Sequence, residues 1–304
     1  MADLKSLTTE KRNKNTMNLD EMTPYEIVSV MNEEDEKVVK AVYNVLPEIS
    51  RTIEWAIESL TRKGRIIYIG AGTSGRLGIL DAVECPPTFG VDYNTVVGVI
   101  AGGEEAFVKA KEGAEDSLEL GAEDLKKIDL KTEDLVIGLA ASGRTPYVIG
   151  AFRYAAGLGC RKVAVSCNSN SEISKEADLA IELLTGPEIL TGSTRLKAGT
   201  AEKMVLNMIS TASMVGIGKV YQNLMVDVRK TNEKLVSRAE NIVMEAVGCD
   251  REEAREALKE ADGEAKLAIT KMLLGCDIEK AREALQEAGG KVKVAVSRQM
   301  TIKS

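Results

Sequence analysis

Between Arg65 and Leu184 the chain alternates short apolar runs with amphipathic stretches. The runs Arg65 to Ile69, Thr95 to Ala101, Asp134 to Ala140, Lys162 to Cys167 and Leu179 to Leu184 are rich in Val, Ile and Leu and do not alternate strictly. That is the pattern of strands buried on both faces of a parallel sheet. The intervening stretches predict helices over Ser74 to Val83, Gly103 to Leu120, Pro146 to Gly157 and, more briefly, Ser171 to Lys175. Repeated strand and helix units predict an α/β fold, a doubly wound five-stranded parallel sheet with ligands at the C-terminal ends of its strands.

The flanks are helical. Residues 1–20 are polar and without period, which predicts a loose arm. Thr23-Pro24-Tyr25-Glu26 is a capping box with proline at the first helical position, opening a helix through Val30. Further helices are expected from Glu33 to Leu46 and from Glu48 to Arg62, then a long one from Lys197 to Val220. Residues 21–231 thus read as one domain with helices in front of its sheet. From Asn232 to the end the pattern is helical and duplicated: the 22 residues from Gly248 match those from Gly275 at 14 positions, a period of 27. Residues 232–304 are expected to form a small helical module, its three helices resembling the ubiquitin-associated fold.

Composition narrows the chemistry. A length of 304 residues with 44% hydrophobic content sustains a buried core, and a formal net charge of −7 offers no basic field for nucleic acid or an anionic membrane. No apolar run has the length of a membrane span and the N-terminus lacks a signal-peptide core, so the expected location is the cytoplasm. Five cysteines without a CxxC pair suggest neither a disulfide framework nor a zinc site. There is no histidine, which removes Ser-His-Asp and Cys-His catalysis together. Proton transfer falls to carboxylates, Lys, Tyr, Cys or the substrate.

Two turns carry the candidate chemistry. The first strand runs into Gly70-Ala71-Gly72-Thr73-Ser74-Gly75, where glycines permit close approach and a helix N-terminus favours an anion. Gly70, Gly72 and Gly75 also satisfy the dinucleotide fingerprint, but the second strand ends in Ala101-Gly102-Gly103 rather than in the acid that would hold a ribose. The third strand ends in Ala140-Ala141-Ser142-Gly143-Arg144-Thr145, repeating the Ser-Gly-Arg of residues 74–76. Ser142 and Thr145 alone read as a helix cap. Taken with the first turn, they predict a compact phosphomonoester held by Thr73, Ser74, Ser142 and Thr145 with amides of Gly72, Gly75 and Gly143.

At these turns the chain resembles the sugar isomerase domain family, and GAGTSGRLGILDAVECPPTFG, EGAEDS, ASGRTPYV and TGSTRLKAGTAEKMVLNM are similar to its ether-cleaving branch. The resemblance implies release of a D-lactyl group from the third carbon of a phosphorylated amino sugar, by a homodimer with its site near the subunit interface, using neither metal nor nicotinamide. It places Glu84 and Glu115 at the catalytic positions. From the pattern itself, Pro86-Pro87 puts Glu84 in the last turn of its helix, where the dipole disfavours a carboxylate and suits an acid. Glu115 lies beside the helical stripe Phe107, Ala110, Ala114 and Leu118, where Lys111 is its ordinary partner. Glu84 is therefore expected to be the acid and Glu115 the base. Arg76, Arg144 and Lys197 are left between the substrate carboxylate, a subunit contact and a surface ion pair. Regulatory proteins of glucokinase share parts of these motifs, which keeps a non-catalytic sugar-phosphate sensor as the alternative.

Overall fold

The five apolar runs form five parallel strands in the computed structural model, which describes residues 7–109, 111–227 and 233–302. The strands are β1 (Ile66–Gly70), β2 (Val96–Ile100), β3 (Leu135–Leu139), β4 (Arg161–Ser166) and β5 (Leu179–Glu182), in the order β2-β1-β3-β4-β5. From β1 the chain steps outward to β2 and then returns across β1 to β3, so the sheet reverses its winding between β1 and β3. Ligands bind at such a switch point. Every residue of β1 and β3 is buried, which explains their uninterrupted apolar sequence.

The helices are α1 (Pro24–Tyr43), α2 (Leu46–Thr61), α3 (Gly72–Phe89), α4 (Glu105–Val108), α5 (Leu118–Lys127), α6 (Pro146–Gly157), α7 (Glu172–Glu176) and α8 (Lys197–Gly216). On one face Ile67, Ile69, Val136 and Ala164 pack with Leu125 of α5 and Tyr147, Val148 and Phe152 of α6. On the other face Gly78 of α3 lies against Tyr68 and Gly98 lies against Ile79, contacts closed to any larger side chain.

Four expectations are corrected. The two front helices before Pro47 are one, α1, whose Thr23 and Glu26 form the capping box. Residues 7–20 are not loose: they make 3₁₀ turns pinned at long range, Thr8 N donating to Asn168 Oδ1 at 2.7 Å and Thr16 Oγ1 to Ile189 O at 2.8 Å. Pro86 and Pro87 do not stop α3. They occupy its last turn, and Gly90, at φ +65° with Asp227 O where a Cβ would stand, ends it. The helix expected over 103–120 is broken, because Gly113 is left-handed at φ 75° and Ser117 caps a new helix by accepting from Leu120 N. Ala110, the first six residues of the arm and the expected boundary at 231–232 lie outside the described residues.

By packing, the chain divides into two units, Met1–Val83 with Tyr93–Ser210, and Glu84–Asp92 with Thr211–Ser304. The second holds a short hairpin, β6 (Val220–Tyr221) and β7 (Leu224–Met225), then α9 (Glu233–Val247), α10 (Arg251–Glu260), α11 (Ala265–Leu274), α12 (Ile278–Glu287) and α13 (Val292–Ile302). The 27-residue repeat thus makes two helix pairs behind α9, where three helices were expected. Its copies start alike: Asp250 and Asp277, 27 residues apart, each cap the following helix. Val243, Ala254, Ala268, Ile269, Ala281 and Ala295 form the core of this unit. Among the described residues no helix is long and apolar enough to cross a membrane.

Candidate active site

β1 and β3 are paired in register, Gly70 opposite Leu139, so the turns at 71–75 and 140–145 leave the same edge of the sheet side by side. The first turn is tight because its glycines admit nothing larger. A Cβ on Gly70 would stand 2.9 Å from Leu139 O, and one on Gly75 would stand 2.7 Å from Gly70 O. Gly72 takes φ +54° at the start of α3 with open space around it. The amides of Gly72, Thr73 and Ser74 belong to the first helical turn, where no carbonyl within the helix can receive them. They point where an anion is stabilised.

The second turn is buttressed from β4. Asn168 Nδ2 donates to Ala141 O at 3.2 Å and to Ser142 O at 3.3 Å, and Ile173 N donates to Gly143 O at 3.0 Å. Gly143 has φ +72°, and a Cβ there would lie 2.2 Å from Ser171 Cβ. Ser142 Oγ accepts from Arg144 N at 3.3 Å, and Thr145 makes no side-chain capping bond to α6. A polar hollow of about 310 Å³ opens beside this turn, lined among others by Arg144, Asn168 and Ser171.

Two of the expected phosphate donors are engaged already. Gly75 N donates to Ala71 O at 3.2 Å and Gly143 N to Ala140 O at 2.8 Å, so these glycines serve through their missing side chains. Ser74 is buried, and its Oγ donates to Glu202 Oε1 at 3.0 Å. Glu202, on α8, was not singled out by the sequence; a glutamate one turn into a helix gives no sign of burial. It is 1% exposed, and burial pushes its carboxyl up to about 8 against the opposing pull of the Ser74 hydrogen bond. Asn168 was missed likewise, although the polar run after β4 marks a third loop at the same sheet edge.

The cations resolve differently from one another. Arg76 donates to the carbonyls of Ala106 and Phe107 at 2.7 and 2.8 Å, tying α3 to the end of α4. Arg144 pairs with Glu172 at 3.4 Å. Lys197 is wholly buried against Glu34 at 2.6 Å, so it is no surface ion pair.

Glu84 is exposed, on α3 five residues before its end, so the terminal-dipole argument for it does not hold. Glu115 is exposed in the 3₁₀ turn Ala114–Asp116, with no continuous helix to pair it with Lys111. The two turns are therefore brought together within one unit. Glu84 falls in the second unit and Glu115 in the first.

The chain matches the glucokinase regulatory protein N-terminal SIS domain over residues 48–156 and the SIS domain over residues 119–212. Among solved structures it shares its fold with phosphoheptose isomerase GmhA from Neisseria gonorrhoeae (TM-score 0.50, 14% identity, 63% of this chain and 98% of that one). The phosphoheptose isomerase from Francisella tularensis is equally similar (TM-score 0.50, 13% identity, 64% and 100%). Sheet order, paired turns and these matches define a SIS-domain protein.

Much nearer in sequence are curated proteins named N-acetylmuramic acid 6-phosphate etherase. That of Bacillus mycoides strain KBAB4 is 61% identical over 271 residues, 89% of this chain and 92% of the relative. That of Lactococcus lactis subsp. cremoris strain SK11 is 60% identical over 268 residues, 88% and 90%. The chain belongs to the N-acetylmuramic acid 6-phosphate etherase family.

Proposed function

We propose that this protein is a carbon–oxygen lyase that cleaves the D-lactyl ether of N-acetylmuramic acid 6-phosphate, giving N-acetylglucosamine 6-phosphate and D-lactate. The observation that carries this is 61% identity across 92% of a relative bearing that name. It acts in the cytoplasm, on amino sugars recovered from cell wall.

The chemistry needs two carboxylates. In the ring-opened sugar the aldehyde acidifies the proton on carbon two, and Glu115 removes it. The bond from carbon three to the ether oxygen breaks as Glu84 protonates the departing lactate. Water then adds across the resulting double bond, its oxygen on carbon three and a proton on carbon two. The phosphate is held by Thr73, Ser74, Ser142 and Thr145 with first-turn amides of α3, a reading supported by the two turns at the switch point. The protein works as a homodimer with the site near the subunit interface.

The test is release of D-lactate from N-acetylmuramic acid 6-phosphate, followed by solvent-deuterium exchange at carbon two in Glu84→Gln and Glu115→Gln. Lactate release by the wild type and loss of exchange in Glu115→Gln alone fit this reading. Binding without lactate release marks a sensor instead, and wild-type exchange by Glu115→Gln removes it as the base.

A further inference from the structure

Glu202 stands behind the first turn, and among the described residues no cation is paired with it. One oxygen accepts from Ser74 Oγ at 3.0 Å, and the other is buried without a hydrogen-bond partner among the described residues. The cations beside it in sequence are directed elsewhere: Lys197 is held by Glu34 at 2.6 Å, and Lys203 is exposed. The titratable group facing it is Cys167, just beyond β4, its thiol raised by burial and then by Glu202 and by Glu188, a carboxyl itself raised by burial. An ionised carboxylate here would be a buried charge without a counter-ion, which proteins avoid by keeping the group protonated.

We propose that Glu202 is a positioning residue for the phosphate: as a neutral acid it donates to Ser74 Oγ and so frees the Ser74 proton for a phosphate oxygen. The inference rests on the reading of Ser74 as a phosphate ligand. A serine hydroxyl has one proton to give and can also accept, whereas an ionised carboxylate only accepts. Facing ionised Glu202, Ser74 spends its proton on the carboxylate, and a negative charge stands behind the turn that receives a dianion. Facing neutral Glu202, it accepts from the acid and turns its proton outward. The arrangement seen here, with Ser74 donating, is the resting one; a half-turn of the carboxyl group presents the protonated oxygen when phosphate arrives. No proton is gained or lost.

The experiment is calorimetric titration with N-acetylglucosamine 6-phosphate from about pH 7 to about pH 9.5, where the phosphate is already a dianion because its second pKa is about 6. Wild-type affinity is expected to fall about tenfold per pH unit once Glu202 ionises. Glu202→Gln, whose amide donates in place of the acid, should bind within about threefold of wild type at pH 7 and show no alkaline loss. Glu202→Leu should bind about tenfold more weakly at every pH. Identical pH profiles for wild type and Glu202→Gln would overturn the proposal. Ser74→Ala separates this failure from that of the underlying reading. If it binds the phosphosugar as well as wild type does, Ser74 is not a phosphate ligand. If it binds weakly while the profiles coincide, only the role of Glu202 falls. Should Glu202→Gln not fold, Glu202→Leu carries the pH test, because it cannot ionise and its weakened binding should be level with pH; a wild-type alkaline loss in Glu202→Leu would overturn the proposal.

Discussion

Lys197 Nζ lies 2.6 Å from Glu34 Oε2 with each side chain only 2% exposed, joining the first residue of α8 to the middle of α1. Burial alone would raise the Glu34 carboxyl. Hydrogen bonds from Lys197, Lys37 and Asn15 outweigh it and hold the group at about 2. Lys197→Met leaves the buried Glu34 carboxylate with only Lys37 and Asn15 on its other oxygen, so it is expected to lose about 3 kcal/mol in urea unfolding at pH 7. Because the folded value lies below the ordinary 4.5, the stabilisation is present above pH 4.5 and disappears as pH falls towards 2. The gap between wild type and Glu34→Gln should close over that interval.

The second turn gives a steric prediction. Gly143→Ala puts a methyl group 2.2 Å from Ser171 Cβ at φ +72°, combining about 1–2 kcal/mol of backbone strain with about 1–3 kcal/mol of overpacking. Thermal unfolding should show the loss, and phosphosugar affinity should fall with it. Gly157→Ala, at the end of α6 with nothing within 4 Å of the new methyl group, is the control. It should change stability by no more than about 1 kcal/mol.

Glu202 also predicts how stability follows pH. Its folded value, about 8, exceeds its ordinary 4.5, so between these the folded state binds more protons than the unfolded one. Its contribution is complete below pH 4.5 and is lost as pH rises to about 8, with a slope of at most about 1.4 kcal/mol per pH unit. Urea midpoints of wild type should therefore fall relative to Glu202→Gln from pH 5 to pH 8. Parallel curves would mean that Glu202 does not titrate in this range.

The sheet was legible in the sequence because its strands are buried on both faces, so that each is an unbroken apolar run. The repeated Ser-Gly-Arg turns were legible because glycine is forced where a strand and a helix meet closely, as at Gly70 and Gly75. What escaped is what depends on tertiary partners. Nothing near Glu202 in sequence signals that Ser74 will be its partner, 128 residues away. The polar arm gains its order from Asn168 and Ile189, over more than 150 residues. The environment of Glu115 was misread for a local reason: a left-handed glycine and a capping serine, both present in the sequence, outweigh the helical period of the residues around them.

The central claim is that the ether is opened by elimination and the product is completed by water at carbon three. Incubating the protein with N-acetylmuramic acid 6-phosphate in heavy-oxygen water, and locating the label by mass spectrometry, tests it directly. The account predicts one heavy oxygen at carbon three of N-acetylglucosamine 6-phosphate and none in the ether-derived hydroxyl of D-lactate. Label in that lactate hydroxyl, with carbon three unlabelled, would contradict it.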